Sequence, residues 1–140
     1  MPVRKEDGRS SEKWGFVSAR ILKVKLESVA KEKVNLIILY GSNEYEKITI
    51  KDKFLKEVTD IVENIDGIIV VLGDLNGWVG KWVNDVESVI GKHGENVRNS
   101  NGRRIINFCM QNNFLVLNTF FQRKEIHSFR RVVNSKNEKL

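Results

Sequence analysis

Apolar residues along this 140-residue chain come in short blocks whose period switches between strand-like and helix-like. Between 18 and 26, Ala19, Ile21, Val24 and Leu26 interleave with Arg20, Lys23 and Lys25, with one break at Leu22, which predicts a half-buried strand. A charged turn at 31–33 leads to VNLIILY over 34–40, a more deeply buried strand close enough to pair with the first as an antiparallel hairpin. After a polar loop at 41–46, apolar residues at 54, 55, 58, 61, 62 and 65 predict a helix over 51–65, with Thr49 as a cap and Asp66-Gly67 as a stop. The unbroken run IIVVL then predicts a buried strand over 68–73, which ends on Gly73-Asp74-Leu75-Asn76-Gly77.

The second half is less regular. Residues 81–100 set short apolar pieces between glycines and asparagines and are expected to form a long surface loop with about one turn of helix. A second helix is predicted from Asn101 or Gly102 to Asn112, with Ile105, Ile106, Cys109 and Met110 on one side. FLVLN over 114–118 predicts another buried strand, and a short one is expected over 127–133. The first 13 residues are polar and without period, so 1–16 is expected as a flexible segment, and 134–140 as a disordered tail.

Composition narrows the class. An apolar fraction of 41% is enough for a core, while 30% charged residues argues against a membrane protein. No apolar run approaches the roughly 20 residues of a membrane span, and residues 1–14 lack the hydrophobic stretch of a secretory signal. An intracellular location, nuclear or cytoplasmic, and no membrane partner are therefore expected. The single cysteine, Cys109, excludes an internal disulfide and suits a reducing compartment. The net charge of +6 is uneven: residues 1–102 hold 16 basic and 16 acidic side chains, and 103–140 hold 8 and 2. Such a basic end favours a polyanion such as nucleic acid through counterion release, or is a solvated tail.

Candidate chemistry gathers where the strands end. Asp74 at the close of a strand can hold or deprotonate a water, and Asn76, two residues on, can donate to a phosphoryl oxygen as charge builds there. Gly-Asp-x-Asn-Gly is also ordinary turn chemistry, with Asp and Asn bonding their own backbone, and the residues alone leave both readings open. Tyr40, Asn118 and Thr119 close other predicted strands, so polar side chains from three strand ends can reach one rim. Trp78 and Trp82 flank the motif and can stack on bases or pack over the loop. Arg103 and Arg104, at the start of the second helix, are further candidates for substrate contact. His93 and His127 read as surface residues, and Cys109 as a small core residue. No Walker loop, dinucleotide fingerprint, HExxH motif or nucleophile elbow is present.

VVLGDLNGWVG over 70–80, followed by NSNGRRIINFCMQNNFLVLNTFF over 99–121, resembles the endonuclease/exonuclease/phosphatase superfamily. The similarity is closer to the endonuclease domains of non-LTR retrotransposons and to craniofacial development protein 2-like proteins. SARILKVKL and VNLIILYGSNE look like that family's two strands before the motif, so the resemblance runs from about 17 to 127. It implies an α/β fold, here a fragment of a four-layered α/β sandwich of two sheets flanked by helices, with a partial domain over 17–133. It also implies a hydrolase: magnesium-dependent cleavage of DNA phosphodiesters, with manganese as a substitute. Asp74 would activate water and contribute to the metal site, Asn76 would stabilise the pentavalent phosphate, Tyr40 would contact the phosphate, and Asn118 would support the site.

Departures from the family pattern qualify that expectation. The family's amino-terminal asparagine and metal-binding glutamate would precede residue 17, where 1–15 offers no counterpart, and its Ser-Asp-His motif would follow Leu140. The family's proline near Tyr40 is replaced by Gly41-Ser42, and SFRRVV follows His127 in place of its aromatic and threonine residues. With Asp74 as the one carboxylate, weak metal binding and little turnover are expected. The alternative is a non-catalytic nucleic-acid-binding remnant using the basic last 38 residues. A sandwich lacking its outer strands would also expose sheet edges, leaving the isolated chain marginal or prone to associate.

Overall fold

The computed structural model describes residues 11–81 and 88–122, with side chains from residue 14 onward. The chain divides into two compact units, Met1–Asn76 and Gly77–Leu140. The architecture is mixed α/β: four strands, two α-helices and one 3-10 turn among the described residues.

In the first unit the strands β1 (Ser11–Ser18), β2 (Ile21–Glu27), β3 (Lys33–Tyr40) and β4 (Ile68–Asp74) form one sheet in sequence order. The predicted hairpin is present, since β2 pairs antiparallel with β3, and β3 pairs parallel with β4 across the helix α1 (Ile48–Glu63). Parallel neighbours need such a crossover, and the helix must lie on one face of the sheet. Side chains alternate between faces, so Asn35, Ile37 and Leu39 share one face of β3, and all three are buried. Phe54, Val58 and Val62 are the buried stripe of α1 and complete this core with Ile21. Asn35 is tolerated there because its amide donates to the carbonyls of Asp66, at 2.9 Å, and Ile68, at 3.4 Å, securing the turn that feeds β4.

Several sequence expectations are corrected here. β1 occupies part of the stretch expected to be flexible: SEKWGFVS carries no regular apolar alternation, and its pairing with β2 makes it a strand. The strand predicted from 18 starts at Ile21, because Ala19 and Arg20 form a turn. Helix α1 begins at Ile48, with Lys47 rather than Thr49 at the cap position and no side-chain cap bond. It ends with the Asn64 amide donating to the Asp60 carbonyl at 2.7 Å.

In the second unit, α2 (Ser100–Asn112) starts one residue before the predicted range and places Ile105, Ile106, Phe108 and Cys109 in a core with Val79, Val89 and Ile90. Asn113 closes the helix in the left-handed conformation, at φ 58°. The predicted strand over 114–118 does not form. The Phe114 N–H turns back to the Cys109 carbonyl, Val116 bonds the Val89 carbonyl at 2.9 Å, and Leu117–Thr119 wind into the 3-10 turn. The Phe114 ring stacks on Phe108 of α2 with centroids 5.7 Å apart, while Leu115 and Leu117 are exposed. Residues 88–99 of the expected loop contain no helical turn. The short strand expected over 127–133 lies outside the described residues.

Candidate functional site

The end of β3 and the end of β4 meet in register, with Tyr40 opposite Asp74. Because paired residues of adjacent strands project to the same side of a sheet, the phenol and the carboxylate stand side by side. Gly73 makes this close approach workable. Its φ is +129°, and a Cβ would overlap the Leu39 carbonyl oxygen of the neighbouring strand. The expected strand end is thus the observed one, extended by a residue to Asp74.

Beyond the strands the two loops are stitched together. The Gly41 N–H donates to the Asp74 carbonyl at 2.7 Å, and the Asn76 side-chain amide donates to the Gly41 carbonyl at 2.9 Å. The Asn76 N–H donates to Asp74 Oδ1 at 2.9 Å, with Asn76 itself left-handed at φ 51°. The motif is thus a self-bonded turn, as its residue types suggest, and that turn engages one oxygen of the Asp74 carboxylate. Asp74 and Asn76 are half-buried, and Tyr40 is 61% exposed at the rim.

A second layer of this end comes from residues no motif indicated. Arg20 reaches across from the β1–β2 turn to donate to Ser42 Oγ at 3.2 Å and to Glu46 Oε1 at 2.9 Å. The Arg20 hydrogen bond, followed by one from the Asn43 N–H, holds the Glu46 carboxyl below its ordinary range. Lys51, a buried lysine of α1, donates to the Glu44 carbonyl. The loop carrying Gly41 is thereby held at three points. Arg20 is far from Ser42 and Glu46 in sequence, and only the fold brings them together.

The remaining predicted residues belong to the second unit. Trp78 is half-buried, and its backbone N–H donates to Asn99 Oδ1 at 2.9 Å. The same oxygen accepts the Gly102 N–H at 2.8 Å, so Asn99 caps α2 and anchors the segment after the motif. A Cβ on Gly102 would overlap the Trp78 carbonyl oxygen. Asn in RNSNG is a visible cap signal, but three candidate positions obscured which residue serves. Arg103 is exposed and Arg104 half-buried, both in the early part of α2.

Asn118 is exposed, whereas Thr119 is 1% exposed with its hydroxyl engaged on both sides. It donates to the Val116 carbonyl at 2.6 Å and accepts the Gly91 N–H at 2.8 Å. The Thr119 carbonyl accepts the His93 N–H at 2.8 Å. Thr119 is placed to hold the 88–93 segment, in contrast to the substrate contact expected of it. His93 is exposed. Cys109 sits in the core as expected, where desolvation pushes its thiol up to about 11.

A 68-residue stretch of the chain is 34% identical to craniofacial development protein 2 of Tragulus javanicus and of Bos taurus. The match takes in 49% of this chain and 11% of each relative's length. No family model matches the chain, and no solved structure does. Among the described residues, no helix is long and apolar enough to cross a membrane.

Proposed function

We propose that Asp74, Asn76 and Tyr40 are part of a phosphodiester-hydrolysing site of the endonuclease/exonuclease/phosphatase kind, with DNA as substrate, in a chain of retrotransposon-endonuclease ancestry. The observation that carries the reading is the register pairing of Tyr40 with Asp74, together with the Asn76 bonds that orient the carboxylate. In this reading Asp74 accepts the proton of an attacking water. The Asn76 amide and the Tyr40 hydroxyl donate to phosphoryl oxygens as negative charge accumulates. The similarity to craniofacial development protein 2 and the Gly-Asp-x-Asn motif support it. A nuclear or cytoplasmic location goes with it.

Magnesium is the ion such chemistry calls for. Among the described residues no group of three or more His, Cys, Asp or Glu side chains could hold a metal. Asp74 is the carboxylate of the triad, and one of its oxygens is already engaged by Asn76. These residues by themselves do not fit a complete magnesium site. The proposed site is therefore partial, binding phosphodiester with slow turnover at most.

The test is nicking of supercoiled plasmid in magnesium, run beside salt-dependent binding to a duplex oligonucleotide. Trace nicking lost in Asp74→Ala, with binding weakened in Tyr40→Phe, is the expected pattern. A chain that neither nicks nor binds DNA would sink the proposal. The charge excess of 8 basic over 2 acidic side chains in 103–140 favours a second reading, nucleic-acid binding without cleavage. Binding that is unaffected by Asp74→Ala and Tyr40→Phe, with no nicking at all, selects that one.

A further inference from the structure

Gly41 is the residue through which the two loops of the candidate site meet. Its N–H donates to the Asp74 carbonyl at 2.7 Å, and its carbonyl accepts the Asn76 side-chain amide at 2.9 Å. A Cβ added to it would come within 2.8 Å of the Leu75 backbone, so only glycine allows the approach. With no side chain of its own, Gly41 depends on its two neighbours for its position. Both neighbours are bonded to one residue. The Arg20 carbonyl accepts the Tyr40 N–H at 2.9 Å, and Arg20 Nη1 donates to Ser42 Oγ at 3.2 Å. Nη2 of the same guanidinium donates to Glu46 Oε1 at 2.9 Å, an oxygen that also accepts the Asn43 N–H at 3.2 Å. Ser42 is buried and Arg20 half-buried, so water replaces these bonds poorly.

We propose that Arg20 is a positioning residue for Asn76, acting through Gly41 and not on a ligand itself. The bonds form an unbroken path: Arg20 holds residues 40 and 42, these fix the Gly41 carbonyl between them, and that carbonyl holds the Asn76 amide. An asparagine amide carries two N–H bonds at a fixed angle. Gly41 takes one, which sets the direction of the other, the one presented to a phosphoryl oxygen in the site proposed above. The consequence for DNA rests on that phosphodiester reading; the bond geometry does not depend on it. Arginine suits the task because its planar fork donates to Ser42 and Glu46 in fixed directions at once, whereas a lysine ammonium is a point charge on a flexible stem.

The experiment compares the full chain with Arg20→Met, Arg20→Lys and Asn76→Gly, each checked for folding by circular dichroism. Glycine accepts the left-handed backbone of position 76 and deletes only the amide. Heteronuclear magnetic resonance of the side-chain amides, with the Asn76 signal assigned by its loss in Asn76→Gly, is the first readout. In Arg20→Met the signal is expected to move to the position of a solvated asparagine, and in Arg20→Lys, which keeps the charge but not the fork, to lie between. A signal that stays in place in the folded Arg20 variants overturns the proposal, and the lysine variant alone decides if methionine leaves the chain unfolded. The second readout is a double-mutant cycle on duplex-oligonucleotide binding, at salt high enough to suppress the basic carboxy-terminal part. Arg20→Met and Asn76→Gly should each weaken binding by about tenfold, and the double variant by no more than either alone. Additive losses of about 100-fold would place Arg20 on the DNA itself and also overturn the proposal. Unchanged binding in Asn76→Gly would instead sink the phosphodiester reading alone, with the amide signal deciding whether Arg20 positions Asn76.

Discussion

Thr119 offers a direct measure of how far structure reassigns a residue. Its hydroxyl is buried and joins two segments, donating to Val116 and accepting from Gly91. Thr119→Val keeps the shape and removes both hydroxyl bonds, leaving the Gly91 N–H in the interior without that acceptor, while the Val116 carbonyl keeps the backbone N–H of residue 119 at 3.0 Å. A buried group that loses its partner costs about 1–3 kcal/mol, and we expect about 2 kcal/mol in total. Near this chain length each kcal/mol shifts the melting temperature by about 4 °C, so a fall of about 8 °C is anticipated. Thr119→Ser retains the hydroxyl and loses one methyl, which costs about 0.8 kcal/mol and about 3 °C. Calorimetry of the three proteins supplies the order parent, serine, valine. DNA binding, measured well below the transitions, should be the same for all three. A valine variant as stable as the serine variant would refute the assigned hydrogen-bond role, and a selective loss of DNA binding would restore Thr119 to the substrate surface.

Other outcomes follow from the same geometry. Gly73→Ala forces a side chain into the Leu39 carbonyl at a positive φ, so it should cost more than about 3 kcal/mol and be read as loss of soluble protein. Asn99→Ala removes the acceptor shared by Gly102 and Trp78 and should cost about 1–2 kcal/mol in urea titration, with Asn99→Asp close to the parent. Glu46 has a lowered pKa when folded, so its stabilisation is present above the unfolded carboxyl value of 4.5 and disappears as pH falls through the lower folded value. Glu46→Gln should therefore show a smaller drop in urea midpoint between neutral and acid pH than the parent does. Cys109, with its thiol raised to about 11, should react with a thiol reagent at mildly alkaline pH only after denaturant is added.

The first unit was largely legible because its signals are local. The alternation in β2, the run in β3 and the 54-58-62 stripe in α1 each depend on neighbours within a few residues. Boundaries moved where a backbone bond decided them, as at the Ala19-Arg20 turn and at Lys47. The main error of type was 114–118. Its residues suit a strand, but their hydrogen bonds go to Cys109 and Val89, and the Phe114 ring goes to Phe108 of α2. Propensity yields there to tertiary contact.

At the candidate site, Asp74, Asn76 and Tyr40 could be named from sequence because strand ends and turn residues have recognisable types. Their identity and their position at the close of an apolar run were set by sequence alone. What tertiary structure decided was their conjunction. Register pairs Tyr40 with Asp74, Asn76 reaches 35 residues back to Gly41, and Arg20 braces the loop through Ser42 and Glu46. Each of those links spans a loop closed by folding, and no local spacing in the chain encodes which atoms will meet once it closes.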